Sequence, residues 1–204
     1  MKHCVKKIGK AEIIVWNLTE SVEELKQQLT VYNEEEFSKL NTDKRKSEYL
    51  AVRVALKALL GKEIMIEYNQ EGKPFLSDGS FQISISHSKN WIAVIVHPTR
   101  QVGIDIECPT DKIRKIYSRF LSEDEQTDLS NGENSDQLQL AWSAKEALYK
   151  IIGNDAVDFA NQLRIYAFEV KTSGKIEGEH LPSKKIYHLK YNHNSDYTLV
   201  YCLD

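Results

Sequence analysis

The sequence predicts an α+β fold, and three observations lead to this prediction. Apolar runs of strand length recur along the 204 residues, either alternating with polar residues or continuous. Two much longer segments, "DKRKSEYLAVRVALKALL" and "DQLQLAWSAKEALYKIIG", consist mainly of helix-forming residues. Each half of the chain offers one of these helices together with several strands. The two halves therefore have a roughly similar order of helices and strands, without a detectable sequence repeat.

The first half begins with a strand, "AEIIVWNL", and a short helix, "VEELKQQL". A long helix is predicted over 43–60, since Thr42 can cap its start and Gly61 stands where a C-terminal cap belongs. A loop rich in turn residues follows, and then "FQISIS" and "WIAVIVH" predict two strands of a sheet.

The segment "HPTRQ", residues 97–101, is the predicted boundary between two subdomains, 1–100 and 101–204. Beyond it, "VGIDIE" predicts a strand and "DKIRKIYSRFLSEDE" an amphipathic segment, followed by the second long helix. The remaining predicted strands are "LRIYAFEV", "KKIYHLKY" and "YTLVYCL".

Composition narrows the class of protein. A formal net charge of −3 gives no broad cationic field, so a nucleic-acid-binding protein is not expected. Three widely spaced cysteines without C-x-x-C spacing predict reduced thiols rather than disulfides or a zinc cluster. Neither a signal peptide nor a run of roughly 20 apolar residues is present, so we expect a cytoplasmic protein that does not enter the membrane.

The strand "VGIDIE" carries two acids in an apolar run. Because side chains alternate along a strand, Gly103, Asp105 and Glu107 share one face. An ordinary half-exposed strand would show the same pattern. The glycine beside the acids, however, leaves room for either a ligand or another backbone to approach.

The second long helix carries a stripe of apolar residues with the spacing of a core face, namely Ala144, Ala147, Leu148 and Ile151. This stripe sends Glu146 and Lys150 to the opposite side. They could form an ordinary pair on a solvated face. Two large aromatics near them, Trp142 and Tyr149, instead indicate that something covers this face.

The carboxylates of Asp105, Glu107 and Glu146, with no histidine at ligand spacing, suit a hard cation such as Mg²⁺. Mg²⁺ usually completes its shell with water and substrate phosphate. The neighbouring Lys145 and Lys150 are then expected to neutralise phosphate oxygens.

Further candidate phosphate ligands lie upstream. The 43–60 helix carries a mostly basic ridge of side chains four residues apart, formed by Arg45, Tyr49, Arg53 and Lys57. Such a ridge is more often a solvated face than a ligand site. The turn "GKPF" presents Lys73, and "ISHS" presents Ser86 and His87 at the end of a strand. A single histidine in that position is also commonly structural.

Taken in order, "GKPF", "ISISHS" with "WIAVIV", "VGIDIE", "RFLSEDE" and "WSAKEALYK" resemble the successive motifs of the 4′-phosphopantetheinyl transferases. The resemblance spans residues 72–150 and is closest to the long, surfactin-synthetase-activating type. It implies two similar α+β subdomains related by a pseudo-two-fold, each a long helix packed on an antiparallel sheet, with coenzyme A in the cleft between them. The implied reaction transfers phosphopantetheine from coenzyme A to a carrier-protein serine and releases 3′,5′-ADP.

The resemblance also implies roles for individual residues. Asp105, Glu107 and Glu146 match the ligands of Mg²⁺, with Mn²⁺ as the alternative ion. Glu125 matches the glutamate that deprotonates the serine, Lys150 a contact to the pyrophosphate, and Lys145 a supporting role. Matches to the phosphate-binding positions of coenzyme A are Lys73, Ser86 and His87, with Arg45 or Arg53 as further cations.

The implied partner is an acidic acyl or peptidyl carrier protein, and a monomer is expected. The segment "DKIRKIYSRF" offers four cationic side chains beside an apolar stripe, which could meet an acidic helix. Two alternatives stay open, a Mg²⁺-dependent phosphodiesterase and a non-catalytic module that binds coenzyme A or a carrier. The intact trio of acids speaks against the second.

Overall fold

The computed structural model describes residues 2–129, 132–153 and 157–204. The chain divides into two compact units, Met1–Gln101 and Val102–Asp204. Each unit packs an 18-residue helix against an antiparallel sheet, which confirms the α+β class. Within the described residues, none of the helices is both long and apolar enough to cross a lipid bilayer.

The first unit contains, in chain order, β1 (Lys2–Ile8), β2 (Ala11–Asn17), α1 (Val22–Lys26), α2 (Glu34–Ser38), α3 (Asp43–Leu60), β3 (Ile66–Tyr68), β4 (Pro74–Leu76), β5 (Gln82–Ser88) and β6 (Trp91–His97). Its main sheet has the antiparallel order β1-β2-β6-β5, and β3 pairs with β4 in a separate hairpin.

The predicted helix over 43–60 is confirmed as α3. Its start is capped by Thr42, whose hydroxyl accepts from the Arg45 N–H, and Gly61 ends it in the left-handed conformation.

The second unit contains β7 (Val102–Glu107), two 3-10 turns (Asp111–Lys115 and Tyr117–Arg119), α4 (Glu123–Asp128), α5 (Ser135–Ile152), α6 (Phe159–Gln162), β8 (Leu163–Ile165), β9 (Ser173–His180), β10 (Lys185–His193) and β11 (Thr198–Leu203). Its sheet has the antiparallel order β7-β11-β10-β9-β8. The predicted apolar stripe of α5 is confirmed, since Ala144, Ala147 and Leu148 are fully buried against this sheet.

The structure differs from the sequence-based prediction along β8 and β9. The run "LRIYAFEV" forms only a three-residue strand, because its later carbonyls accept from side chains instead of a strand partner. Gln137 donates to the Phe168 carbonyl, and the Tyr191 hydroxyl donates to the Glu169 carbonyl. The glycine-containing and highly charged "SGKIEGEH" was not predicted as a strand, but pairing with β10 and β8 holds it as β9.

Helix α5 approaches β7 very closely at Gly103. A Cβ atom added there would lie 2.0 Å from the Ala147 carbonyl oxygen and 2.8 Å from Cγ1 of Ile151. Of the two possibilities that the sequence left open for this glycine, the structure shows the approach of another backbone. The glycine therefore sets the spacing between the strand that carries Asp105 and the helix that carries Glu146.

We expect Gly103→Ala to lower the free energy of unfolding by at least about 1–3 kcal/mol, because the helix backbone must move to admit the methyl group. Gly178→Ala is the matched control, since its Cβ would meet chiefly the Cδ1 methyl of Leu148, which can rotate away. Denaturant unfolding of both variants measures the difference. An equal loss in the two variants would show that the close backbone contact has no special effect.

Candidate functional site

Strand β7 and helix α5 bring the predicted acids to one region of the second unit. Asp105 is 3% exposed and accepts from the ammonium of Lys150, with 2.9 Å between Nζ and Oδ1. The same Nζ donates to the Ile104 carbonyl oxygen at 2.9 Å. Glu107 follows on the strand face of Asp105, and Glu146 lies one helical turn before Lys150. We refer to Asp105, Glu107, Glu146 and Lys150 as the acid site.

The carboxylates of the acid site interact electrostatically. Burial, together with the charges of Asp105 and Glu107, raises the pKa of Glu146 to about 7, and the charge of Lys150 opposes this shift. The effects of Asp105, Glu107 and Lys150 require these groups to lie near Glu146, while the effect of burial reflects the shielding of Glu146 from solvent. The structure therefore does not show the solvated Glu–Lys pair that the sequence left open as an alternative for Glu146 and Lys150.

The chemistry of this donor set fits a divalent cation, because repulsion among three carboxylates is what a bound Mg²⁺ would relieve. As the side chains lie, no group of three or more His, Cys, Asp or Glu residues among the described ones is arranged to hold a metal ion. The ammonium of Lys150 instead supplies the positive charge beside Asp105. Metal binding would therefore require side-chain rearrangement around Lys150.

Glu125 and Lys145 form a buried ion pair, and both side chains are 0% exposed. Lys145 Nζ lies 2.7 Å from Glu125 Oε2 and within 2.8 Å of the carbonyl oxygens of Phe120, Phe159 and Leu163. Burial lowers the pKa of Lys145 to about 8, while Glu125 opposes the shift. The lysine thus joins the segment before α4 to the α6–β8 segment.

The second oxygen of Glu125 is also occupied. Oε1 accepts from the Ile165 N–H at 2.7 Å, and Oε2 accepts from the Ser122 N–H at 2.9 Å in a capping box. The S-x-x-E pattern of "SEDE" signalled this capping role in the sequence. In this arrangement neither Glu125 nor Lys145 presents a charged group to a ligand. Their catalytic assignment stays a prediction.

The aromatic residues predicted to lie on a covered face are covered by the chain itself. The ring of Trp142 packs against Phe120 and Phe159, with centroid distances of 5.1 Å and 5.6 Å. Tyr149 also contacts Phe159, at 5.9 Å. These contacts stabilise the helix that carries Glu146 and Lys150.

Two of the predicted phosphate ligands of the first unit meet at a glutamate that sequence reasoning missed. Glu48 is 6% exposed, and its oxygens lie 3.4 Å from Arg45 Nη1 and 3.8 Å from His87 Nδ1. Lys44 adds a further cationic group, with 3.8 Å between its Nζ and Glu48. The i, i+3 spacing of Arg45 and Glu48 was the available signal.

The other predicted phosphate ligands lie in different surroundings. Arg53 is 5% exposed and stacks on the Tyr49 ring at 3.2 Å, so the prediction of an exposed basic ridge is wrong at this residue. Burial lowers the pKa of Arg53. Lys73 Nζ donates to Gln101 Oε1 at 2.9 Å, and Ser86 is 7% exposed within β5.

Comparison with known proteins agrees with these features of the second unit. A family model described as the 4′-phosphopantetheinyl transferase superfamily matches residues 101–202. The 4′-phosphopantetheinyl transferase AcpT of Salmonella typhimurium is 31% identical over 118 residues, which cover 55% of this chain and 62% of the relative. The 4′-phosphopantetheinyl transferase HetI of Nostoc sp. is 29% identical over 122 residues, covering 52% of each chain.

A third relative, the L-aminoadipate-semialdehyde dehydrogenase-phosphopantetheinyl transferase of Xenopus laevis, is 28% identical over 124 residues. That alignment covers 52% of this chain and 40% of the relative. Across these three curated relatives, the chain spans between 40% and 62% of their length.

We expect Lys145→Met to lower the free energy of unfolding by about 3–5 kcal/mol, because it leaves a buried carboxylate without its cation. The double variant Lys145→Met/Glu125→Gln should recover part of this loss, since it removes the unpaired charge and its amide oxygen can still accept from one of the two backbone N–H groups that Glu125 binds. Denaturant unfolding measures both variants. A loss below about 1 kcal/mol in the single variant, as for an exposed pair, would contradict the structural role.

We expect Glu146→Gln to stabilise the metal-free protein at pH 8 by about 1–3 kcal/mol. With a folded pKa of about 7 against an ordinary 4.5, wild-type Glu146 binds more protons folded than unfolded. Wild-type stability therefore falls as pH rises from 4.5 to 7, and the full cost is present above 7. Thermal unfolding with a chelator at pH 4 and pH 8 measures this, with exposed Glu67→Gln as the control. A gain of equal size at both pH values would refute it.

Proposed function

The chain belongs to the 4′-phosphopantetheinyl transferase superfamily, and on that basis we propose that it transfers 4′-phosphopantetheine from coenzyme A to a serine hydroxyl of an acyl or peptidyl carrier protein. The observation that carries the proposal is the acid site, where β7 and α5 hold interacting carboxylates beside Lys150. The acid site lies inside the region that the family model matches. We assign the chain to the long, surfactin-synthetase-activating type, because a further helix-on-sheet unit precedes that region.

In the proposed reaction, the serine oxygen attacks the phosphorus that carries the pantetheine arm. A new P–O bond forms as the bond to the bridging oxygen breaks. The serine proton passes to a base, and 3′,5′-ADP leaves with the bonding electron pair. When bound by Asp105, Glu107 and Glu146, Mg²⁺ or Mn²⁺ would supply positive charge to the pyrophosphate.

The chain's own residues have separable tasks in this proposal. Lys150 moves from Asp105 to a pyrophosphate oxygen, since its side chain is already 23% exposed. Glu125 is the base assigned by resemblance, and it can accept the proton only if its capping-box contacts open. The pH–rate profile of Glu125→Gln tests this assignment, because loss of the base removes the limb of the profile on which that base titrates.

In the first unit we propose that Arg45, Lys73, Ser86 and His87 contact phosphate oxygens of coenzyme A. Arg45 and His87 support this, since both are partly exposed cationic or donor groups held by one buried acid. Arg53 is left out because its guanidinium is buried on Tyr49. We further propose a monomer, since each unit encloses its own buried core.

Mass spectrometry of an apo carrier protein incubated with the enzyme, coenzyme A and Mg²⁺ tests the function. The transferase predicts a phosphopantetheine-sized gain on serine, and Asp105→Asn should lose the gain while an exposed control, Asp196→Asn, keeps it. Coenzyme A hydrolysis without transfer would favour the phosphodiesterase. Tight binding without turnover would favour the non-catalytic module.

We also propose that the carrier is acidic and docks on the turns Asp111–Lys115 and Tyr117–Arg119. These turns expose Lys112, Arg114 and Lys115, while Ile113 is buried beneath them. Charge complementarity of this kind raises the rate of encounter and is screened by salt.

Lys112→Glu/Arg114→Glu should therefore raise KM for the carrier at least about fivefold at low salt and leave kcat nearly unchanged. The effect should shrink at 0.5 M salt. Lys175→Glu/Lys190→Glu, on exposed positions of β9 and β10, is the matched control. Equal effects of the two double variants would argue against a local docking surface.

A further inference from the structure

A cavity of about 130 Å³ lies in the second unit, at the N-terminal end of α5. Its polar lining includes Asp111, Asp136, Gln139, His193 and Thr198. No role proposed above uses these side chains. The volume is that of about four water molecules, so the cavity suits a single functional group rather than a whole cofactor.

Gln139 is the unusual member of this lining. Its side chain is 4% exposed, and its Oε1 atom is buried without a hydrogen-bond partner among the described residues. Buried carbonyl oxygens are almost always paired in folded proteins. A hydrogen-bond donor that enters the cavity could pair with this acceptor.

The charge of the lining indicates the nature of that donor. Asp111 and Asp136 are acidic, and His193 is the one lining residue able to carry a positive charge. Its Nδ1 lies 2.8 Å from the Thr198 hydroxyl, and its Nε2 lies 3.6 Å from Asp136. Asp136 alone has an ordinary explanation, since acids favour the first turn of a helix. That explanation does not extend to Gln139.

We propose that this cavity binds the guanidinium or primary ammonium group of an arginine or lysine side chain on the protein substrate. Such a group donates hydrogen bonds and carries the charge that two carboxylates attract. A metal ion has fewer carboxylate ligands here than at the acid site, because the lining holds two carboxylates, Asp111 and Asp136, rather than three. Coenzyme A is disfavoured because its phosphates would be repelled by Asp111 and Asp136.

The position of the cavity relative to the acid site suits this occupant. Thr198 pairs with Glu107 across the β7–β11 ladder, so the cavity begins where the acid strand ends. A protein bound here would keep one cationic side chain in the cavity and lie close to the acid site. The carrier is named as the source of that side chain on the basis of the proposed function. The claim that the cavity binds a cation does not depend on the proposed function.

The first experiment is an NMR titration of the full chain with methylguanidinium chloride or methylammonium chloride, using sodium chloride as the ionic-strength control. We expect saturable shifts of the His193 ring signals and the Gln139 side-chain amide, with a millimolar dissociation constant. Linear shifts that match those from sodium chloride would mean that the cavity holds only water, and would overturn the proposal.

Substitutions in the lining test whether the cation binds in this cavity. Gln139→Leu should abolish saturable binding, and Asp136→Asn should weaken it at least fivefold. Asp43→Asn is the matched control, because Asp43 is the first-turn acid of α3, the other 18-residue helix, and lies outside the cavity. Saturable binding that survives Gln139→Leu in a folded protein, shown by unchanged thermal unfolding, would overturn the assignment to this cavity.

The source of the cation is tested in the transferase assay. Methylguanidinium should inhibit competitively against the carrier protein and not against coenzyme A, and Gln139→Leu should remove this inhibition. Competition against coenzyme A alone would overturn the assignment to the protein substrate. If no transfer is observed, the proposed function fails, while the NMR titration still decides whether the cavity binds a cation.

Discussion

The contact between Gly103 and the Ala147 carbonyl is the constraint on which the second unit depends. A strand and a helix normally keep side chains between their backbones, but here a Cβ atom would lie 2.0 Å from the helix carbonyl. The acids of β7 and α5 therefore lie across a gap too narrow for side chains to separate them. Burial of Asp105 and the raised pKa of Glu146 both follow from this spacing.

The acid site is consequently a source of instability within a well-packed unit. Carboxylates that repel one another and are shielded from water cost free energy in the folded state, and Lys150 offsets only part of it. Proteins tolerate such costs chiefly at functional positions, where a ligand or ion completes the charge balance. The surrounding core, with its fully buried alanines and leucines on α5, supplies the stability that permits it.

The sequence predicted those elements whose apolar periodicity agrees with their burial, which is why the bounds of α3 and the strands β5 to β7 needed little correction. The prediction failed where contacts with other segments, rather than the apolar pattern of the segment itself, determine strand pairing or burial. Strand β9 has few apolar residues and is held by two neighbours. Arg53 was placed on a solvated ridge because long cationic side chains are usually exposed. Its spacing of three from both Leu50 and Leu56, each buried, was an available signal that it lies in the core.

Lys145 and Lys150 show how one helix can combine a structural cation with one at the candidate site. Lys145 follows Ala141 by four residues and precedes Leu148 by three, which places it on the buried side, where Glu125 and backbone carbonyls surround it completely. Lys150 lies five residues later, a rotation of about 500° or, net, 140° around the helix, and so reaches the face of Asp105. The first lysine fixes α5 against α4 and β8, and this fixed helix determines where the second lysine and Glu146 meet β7. Rigidity at one position and reactivity at the other therefore depend on the same helix, because a shift that weakened the buried pair would also displace the acid site.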